Sequence, residues 1–132
     1  MVELRAITTK IGSGATPRGG KKSYKDSGIP LIRSLNVYDF EFRHKDLALI
    51  DEMQAEKLAN VEVQPNDVLL NITGASVARC CMVPDDVLPA RVNQHVAIVR
   101  IDPALASAHY VLYCINSPLY KNHLLTLAQG GR

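Results

Sequence analysis

The 132-residue chain has no tryptophan, and its five tyrosines and two phenylalanines make only 5% aromatic content. That scarcity argues against a single-strand binder that stacks successive bases on aromatic platforms. Cysteine is also sparse. Cys80, Cys81 and Cys114 are odd in number and lack CxxC spacing, so neither a disulfide framework nor a zinc site is indicated. No apolar run approaches the roughly 18 residues of a membrane span, and the N-terminus lacks a signal-peptide apolar region. With 47% hydrophobic residues and a net charge of +2, the chain is not disordered. The composition reads as one reduced, cytoplasmic, soluble domain spanning 1–132.

Near-neutrality conceals a gradient. Residues 1–45 carry nine Lys/Arg against four Asp/Glu, whereas residues 46–100 carry four against eight. Because attraction to phosphate follows the local field, the basic first third points weakly to nucleic acid; a solvated charged surface is the plainer alternative.

Residues 2–11 suit a short helix, a strand, or one leading into the other. Gly12-Ser-Gly-Ala-Thr-Pro-Arg-Gly-Gly-Lys-Lys22 is a loop, because four glycines and a proline preclude a regular element. Ile29–Arg33 reads as a short strand, with Pro30 at an edge or a strand start. Asp51 and Gln54 form a capping box for a helix running to about Ala59, and Val61–Val63 is extended. Strands are expected at Val68–Ile72, Val77–Val83 and Val92–Ile101. Ser107 caps a helix to about Asn116, and Ser117-Pro118 starts another, with Leu119, Leu124, Leu125 and Leu127 apolar and a stop at Gly130-Gly131. Strands first and paired helices last give an α+β fold, with a mixed or antiparallel sheet, long loops and two C-terminal helices.

No catalytic constellation emerges. A P-loop needs Ser or Thr directly after Gly-Lys, but Gly20-Lys21 is followed by Lys22, and Gly12-x-Gly14 does not extend to GxGxxG. His44, His95, His109 and His123 form no His-x3-His pair. Asp85-Asp86 after Pro84 is a solvated turn. The Cys80-Cys81 pair suits one thiol in the core and one on the other face of a strand. Neither an S-adenosylmethionine-binding glycine motif nor an Asn-Pro-Pro-aromatic tetrapeptide is present. No cofactor and no metal are expected.

Surface chemistry remains. Glycine N–H groups, the Thr16 hydroxyl, Arg18, Lys21 and Lys22 can reach a DNA backbone, and a partnerless surface loop is the alternative. Asn71-Ile-Thr-Gly-Ala-Ser-Val-Ala-Arg79 and Arg91-Val-Asn-Gln-His95 place polar groups beside apolar strands. Asn and Gln can bond adenine bidentately and Arg can bond guanine. Equally, Asn93, Gln94 and His95 can satisfy backbone groups beneath the loops.

Gly14-Ala-Thr-Pro-Arg18, Tyr24, Gly28-Ile-Pro-Leu-Ile32 and Asn36-Val37 together resemble the opening of a target recognition domain of the specificity (S) subunit of type I restriction-modification systems. Asp67-Val-Leu-Leu with Thr73-Gly-Ala-Ser-Val-Ala-Arg79, then Val92-Asn-Gln-His-Val-Ala-Ile98, resemble its central and most diagnostic segments. Tyr110, Asn116-Ser117 and Ala128-Gln-Gly-Gly131 are similar to its C-terminal portion. Each motif is weak alone, and four in order are specific. Where family members often carry Gly, this chain has Ala78.

The resemblance implies a non-catalytic reader of double-stranded DNA that takes one half of a split target. Modification (methyltransferase) subunits and a restriction subunit would be its partners. A chain stopping at Arg132 would end before the helical spacer. On this reading Arg18, Lys21, Lys22 and Arg43 contact phosphates. Thr73–Ser76 and Asn93–His95, with Arg33 and Asn36, position or read bases, and Thr16, Tyr24 and Arg79 join them. Base-reading residues differ between specificities in that family, so the shared motifs mark scaffold or backbone contacts. A fragment that docks a modification subunit without touching DNA is the alternative.

Overall fold

In the computed structural model, residues 4–122 are described. A 3-10 turn at Leu4–Ile7 leads into β1 (Thr8–Ser13), and β2 (Ile29–Ile32) follows the glycine loop. A two-stranded hairpin, β3 (Val37–Tyr38) and β4 (Glu41–Phe42), precedes β5 (Ala48–Ile50) and the short helix α1 (Glu52–Glu56). Then come β6 (Val68–Asn71), β7 (Cys80–Met82), β8 (Arg91–Val92), β9 (Val96–Ile101) and α2 (Ala108–Ile115). A further helix begins at 118 and is described to 122. This is the expected α+β order, with the strands distributed over three sheets. His123, Leu124, Leu125, Leu127 and the Gly130-Gly131 stop lie outside the described residues.

The main sheet has the order β1-β9-β6-β7 and is antiparallel throughout. A second, β5-β2-β8, is mixed: β2 runs antiparallel to β5 and parallel to β8. Pro30 therefore lies in a central strand rather than at an edge. It pairs with Leu49, while β8 begins opposite Leu31, so the missing N–H falls before the second ladder opens. Local caps behave as expected. Asp51 accepts from the Gln54 N–H at 2.7 Å while Gln54 Oε1 accepts from the Asp51 N–H at 2.8 Å, and Ser107 accepts from the Tyr110 N–H.

Three expected elements are shorter than their apolar patterns suggest. Helix α1 stops at Glu56, and Ala59–Val61 forms a 3-10 turn instead of more helix or strand. The expected strand Val77–Val83 contracts to Cys80–Met82, because residues 74–78 turn and Ala78 takes φ +76°. That left-handed backbone is the physical reason a glycine suits the position. The expected strand Val92–Ile101 breaks at Asn93–His95: β8 joins one sheet and β9 the other.

Strand alternation gives the main sheet two buried faces. Leu69, Cys81 and Ile98 face the larger core with Leu31, Ile32, Val37 and Val92. Val68, Cys80 and Val99 face a smaller one with Val111, Leu112 and Ile115 of α2. The vicinal cysteines thus project to opposite sides, as expected. Burial pushes both thiols up from 9.0 to about 12. A group whose folded pKa is raised contributes its full stability below its unfolded value, here 9, and loses it as pH rises toward 12. At pH 10 we expect urea unfolding to show a loss on the order of 1 kcal/mol per thiol relative to pH 8. Cys80→Ala/Cys81→Ala should lack this alkaline component; an equal loss in that variant would assign it elsewhere.

Candidate nucleic-acid interface

The glycine loop has a fixed root. The Gly14 N–H donates to the Asn93 carbonyl at 3.0 Å, and a Cβ at Gly14 would collide with the Val92 carbonyl oxygen. Only glycine permits that approach. The Thr16 hydroxyl then donates to Gln94 Oε1 at 2.6 Å, clipping the loop to the break between β8 and β9. Beyond this clip Gly19, at φ +95°, turns the chain into a single 3-10 turn, Gly20–Ser23. Arg18, Lys21 and Lys22 are exposed there, with no ion pair to any described residue.

Next to Gln94 opens a groove of about 460 Å³, lined by Ser34, Leu35, Thr73, Gly74, Ala75, Ser76, Arg79 and His95. Its walls are held by three buried asparagines. Asn71 Nδ2 donates to the Ser34 and Val37 carbonyls and to Ser76 Oγ, at 3.0, 3.3 and 3.0 Å, joining the 34–37 turn to the 73–76 turn. Asn36 accepts from the Arg33 N–H and donates to the Arg43 and Lys45 carbonyls. Asn93 Oδ1 accepts from the His95 N–H at 3.0 Å. Thr73 Oγ1 and His95 Nδ1 hydrogen-bond across the mouth, and the Ile72 N–H donates to the His95 carbonyl.

Cations sit over two tyrosines. The Arg33 guanidinium lies 5.2 Å from the Tyr24 ring centre and donates to the Asp46 carbonyl at 2.6 Å. Arg43 and Arg79 lie 3.4 and 4.5 Å from the Tyr38 ring centre. Arg43 also pairs with Glu41 at 3.1 Å, whereas Arg79 has no ion pair to a described residue.

Thr73, Ser76, Arg79 and His95 therefore converge on one groove, with Gln94 and Thr16 beside it. Arg18, Lys21 and Lys22 form a separate exposed group beyond the clip, and Tyr24–Arg33 and Tyr38–Arg43 form flanking stacks. Asn36 and Asn93 are buried, with both polar atoms of Asn36 and the carbonyl of Asn93 engaged. Of the two roles expected for them, positioning and reading, their burial fits the first. Arg91 is likewise buried, donating to the Ala55 and Ala90 carbonyls and pairing with Glu62.

Sequence reasoning did not single out Ser34 and Leu35 as groove walls or Asn71 as their tie. The signal available was the run of asparagines at strand ends, where an amide side chain can replace absent ladder bonds. Among the described residues no group of three or more His, Cys, Asp or Glu could hold a metal ion. No helix among them is long and apolar enough to cross a membrane.

No protein-family model and no curated protein matches the chain. Solved structures do. The HsdS subunit from Thermoanaerobacter tengcongensis superposes with a TM-score of 0.66 at 17% identity, over 93% of this chain and 28% of that one. A chain from structural work on complex assembly and conformational transition of the type I R-M system gives 0.62 at 18%, over 91% and 27%. The chain spans little more than a quarter of either. Its fold is that of one domain of HsdS, the specificity subunit of type I restriction-modification systems.

Proposed function

We propose that this chain is a target recognition domain that binds double-stranded DNA and reads one half of a bipartite target for a type I restriction-modification complex. The observation that carries the reading is the clipped pair of features on this fold: exposed cations, unpaired among the described residues, beside a pinned groove of base-competent side chains. Arg18, Lys21 and Lys22 supply sequence-blind, salt-dependent attraction to phosphates. Thr73, Ser76, Arg79, Gln94 and His95 supply the hydrogen-bonding groups that discriminate base edges. The role is non-catalytic and cytoplasmic; methyl transfer and cleavage fall to modification and restriction subunits.

Selection from a randomised duplex library at low salt, with competitor DNA, tests this. Enrichment of one short contiguous motif is the expected result. Retention without enrichment would reduce the chain to an electrostatic binder. No retention at any salt would favour a second reading, in which the chain docks a modification subunit without DNA. An apolar groove of about 500 Å³ between α2 and the following helix, lined by Ile7, Leu105, Tyr110, Leu119 and Tyr120 among others, favours that second reading.

A further inference from the structure

The turn Ser34–Asn36 is held from several directions, yet its middle residue is left to solvent. Asn36, fully buried, bonds the backbone at Arg33, Arg43 and Lys45, and Asn71 bonds the carbonyls of Ser34 and Val37. Leu35 is 42% exposed at the tip of this fixed turn. Of the large apolar side chains exposed among the described residues, Leu35 is the one that lines the groove. Around it stand Thr73, Ser76, Arg79 and His95, all polar. An exposed apolar side chain on a pinned turn, set beside polar ones, is a contact surface whose position is fixed before any partner arrives.

Resting on the DNA-reading function above, the geometry points to Leu35 as a specificity residue that packs against the C5-methyl group of a thymine. The hydrogen-bonding edges of bases can be met by the polar rim. A leucine among them has one matching group in the major groove, the thymine methyl. Cytosine carries only a hydrogen at C5 and so leaves Leu35 without that contact. The preorganised turn means that the contact costs little ordering when it forms.

The test uses the full chain, as wild type and as Leu35→Ala, with two randomised duplex libraries. One carries thymine, and the other carries deoxyuridine throughout, which removes only the methyl. For wild type we expect one motif position whose enrichment falls about fourfold in the deoxyuridine library, the worth of one buried methyl. Leu35→Ala should enrich the other motif positions as wild type does, with the thymine preference at that one position lost and no difference there between the libraries. Because Leu35 is partly exposed, the variant should keep the wild-type melting temperature. Equal enrichment by wild type in both libraries would overturn the inference and leave base reading standing. So would a thymine preference that survives in Leu35→Ala. Kinking of the duplex, read as a rise in 2-aminopurine fluorescence that Leu35→Ala abolishes, would also overturn it, since the leucine would then be a wedge between base steps. Retention with no enrichment in either library would remove base reading itself, and this contact with it.

Discussion

Replacing Lys21 and Lys22 together with alanine is expected to weaken binding to every duplex, whatever its sequence, by about 60-fold at 0.1 M salt. The figure follows from counterion release. Each neutralised phosphate contributes about 0.9 to the slope of log K against log salt, so removing two cations lowers the slope by roughly 2. The loop root argues that the effect will be local. Gly14 and Thr16 stay attached to Asn93 and Gln94, so the variant loses charge at the tip without moving the groove. The preferred motif should therefore be unchanged. Binding measured by fluorescence anisotropy between about 50 and 300 mM salt checks both quantities. An unchanged slope would place the loop away from the DNA.

Arg100→Met should destabilise the fold by about 3–5 kcal/mol, a large part of the roughly 5–15 kcal/mol that holds a domain together. Asp67 is wholly buried and accepts from Arg100 Nε and Nη2, both at 2.9 Å, and from the Gln64 N–H at 2.8 Å. The hydrogen bond to Asp67 pushes the arginine pKa further up, and Nη2 also donates to the Glu62 carbonyl. Removing the cation strands a carboxylate in the interior with one remaining donor. The penalty arises from that stranding rather than from any large net value of the pair. Asp67→Asn/Arg100→Gln, which keeps hydrogen-bonding groups without charge, should lose much less than Arg100→Met alone. Urea unfolding followed by circular dichroism separates them. A single variant within about 1 kcal/mol of wild type, the net value of one hydrogen bond, would mean that water reaches the carboxylate.

Features governed by near neighbours were legible in the sequence. The Asp51–Gln54 and Ser107–Tyr110 caps span three residues each, and residue types alone specify them. The opposed faces of Cys80 and Cys81 follow from strand period. Tertiary satisfaction was not legible. Valines and alanines between Ser76 and Val83 read as strand, but the Ala78 N–H is taken by the Asn71 carbonyl, and Lys121 Nζ bonds the Ala78 carbonyl at 2.6 Å. One partner seven residues back and one 43 residues on stabilise a turn where local preference favours extension. Asp67 and Arg100 are separated by 33 residues, and nothing in either neighbourhood announces their pairing. At the groove, the polar residues were visible as interruptions of apolar strands. Which of them are buried struts and which face outward depended on the break between β8 and β9, a feature of sheet assembly rather than of local pattern.

The main sheet is a partition between two cores, and this has an evolutionary consequence. Substitutions on the side of Val68, Cys80 and Val99 need only be accommodated by α2 and its neighbours. Those on the side of Leu69, Cys81 and Ile98 meet the larger core instead, with Leu31, Ile32, Val37 and Val92. Apolar substitutions can therefore be absorbed within one core at a time, while Lys121, which bonds the Ala78 carbonyl from the helical side, ties the groove turn to the helices across the partition.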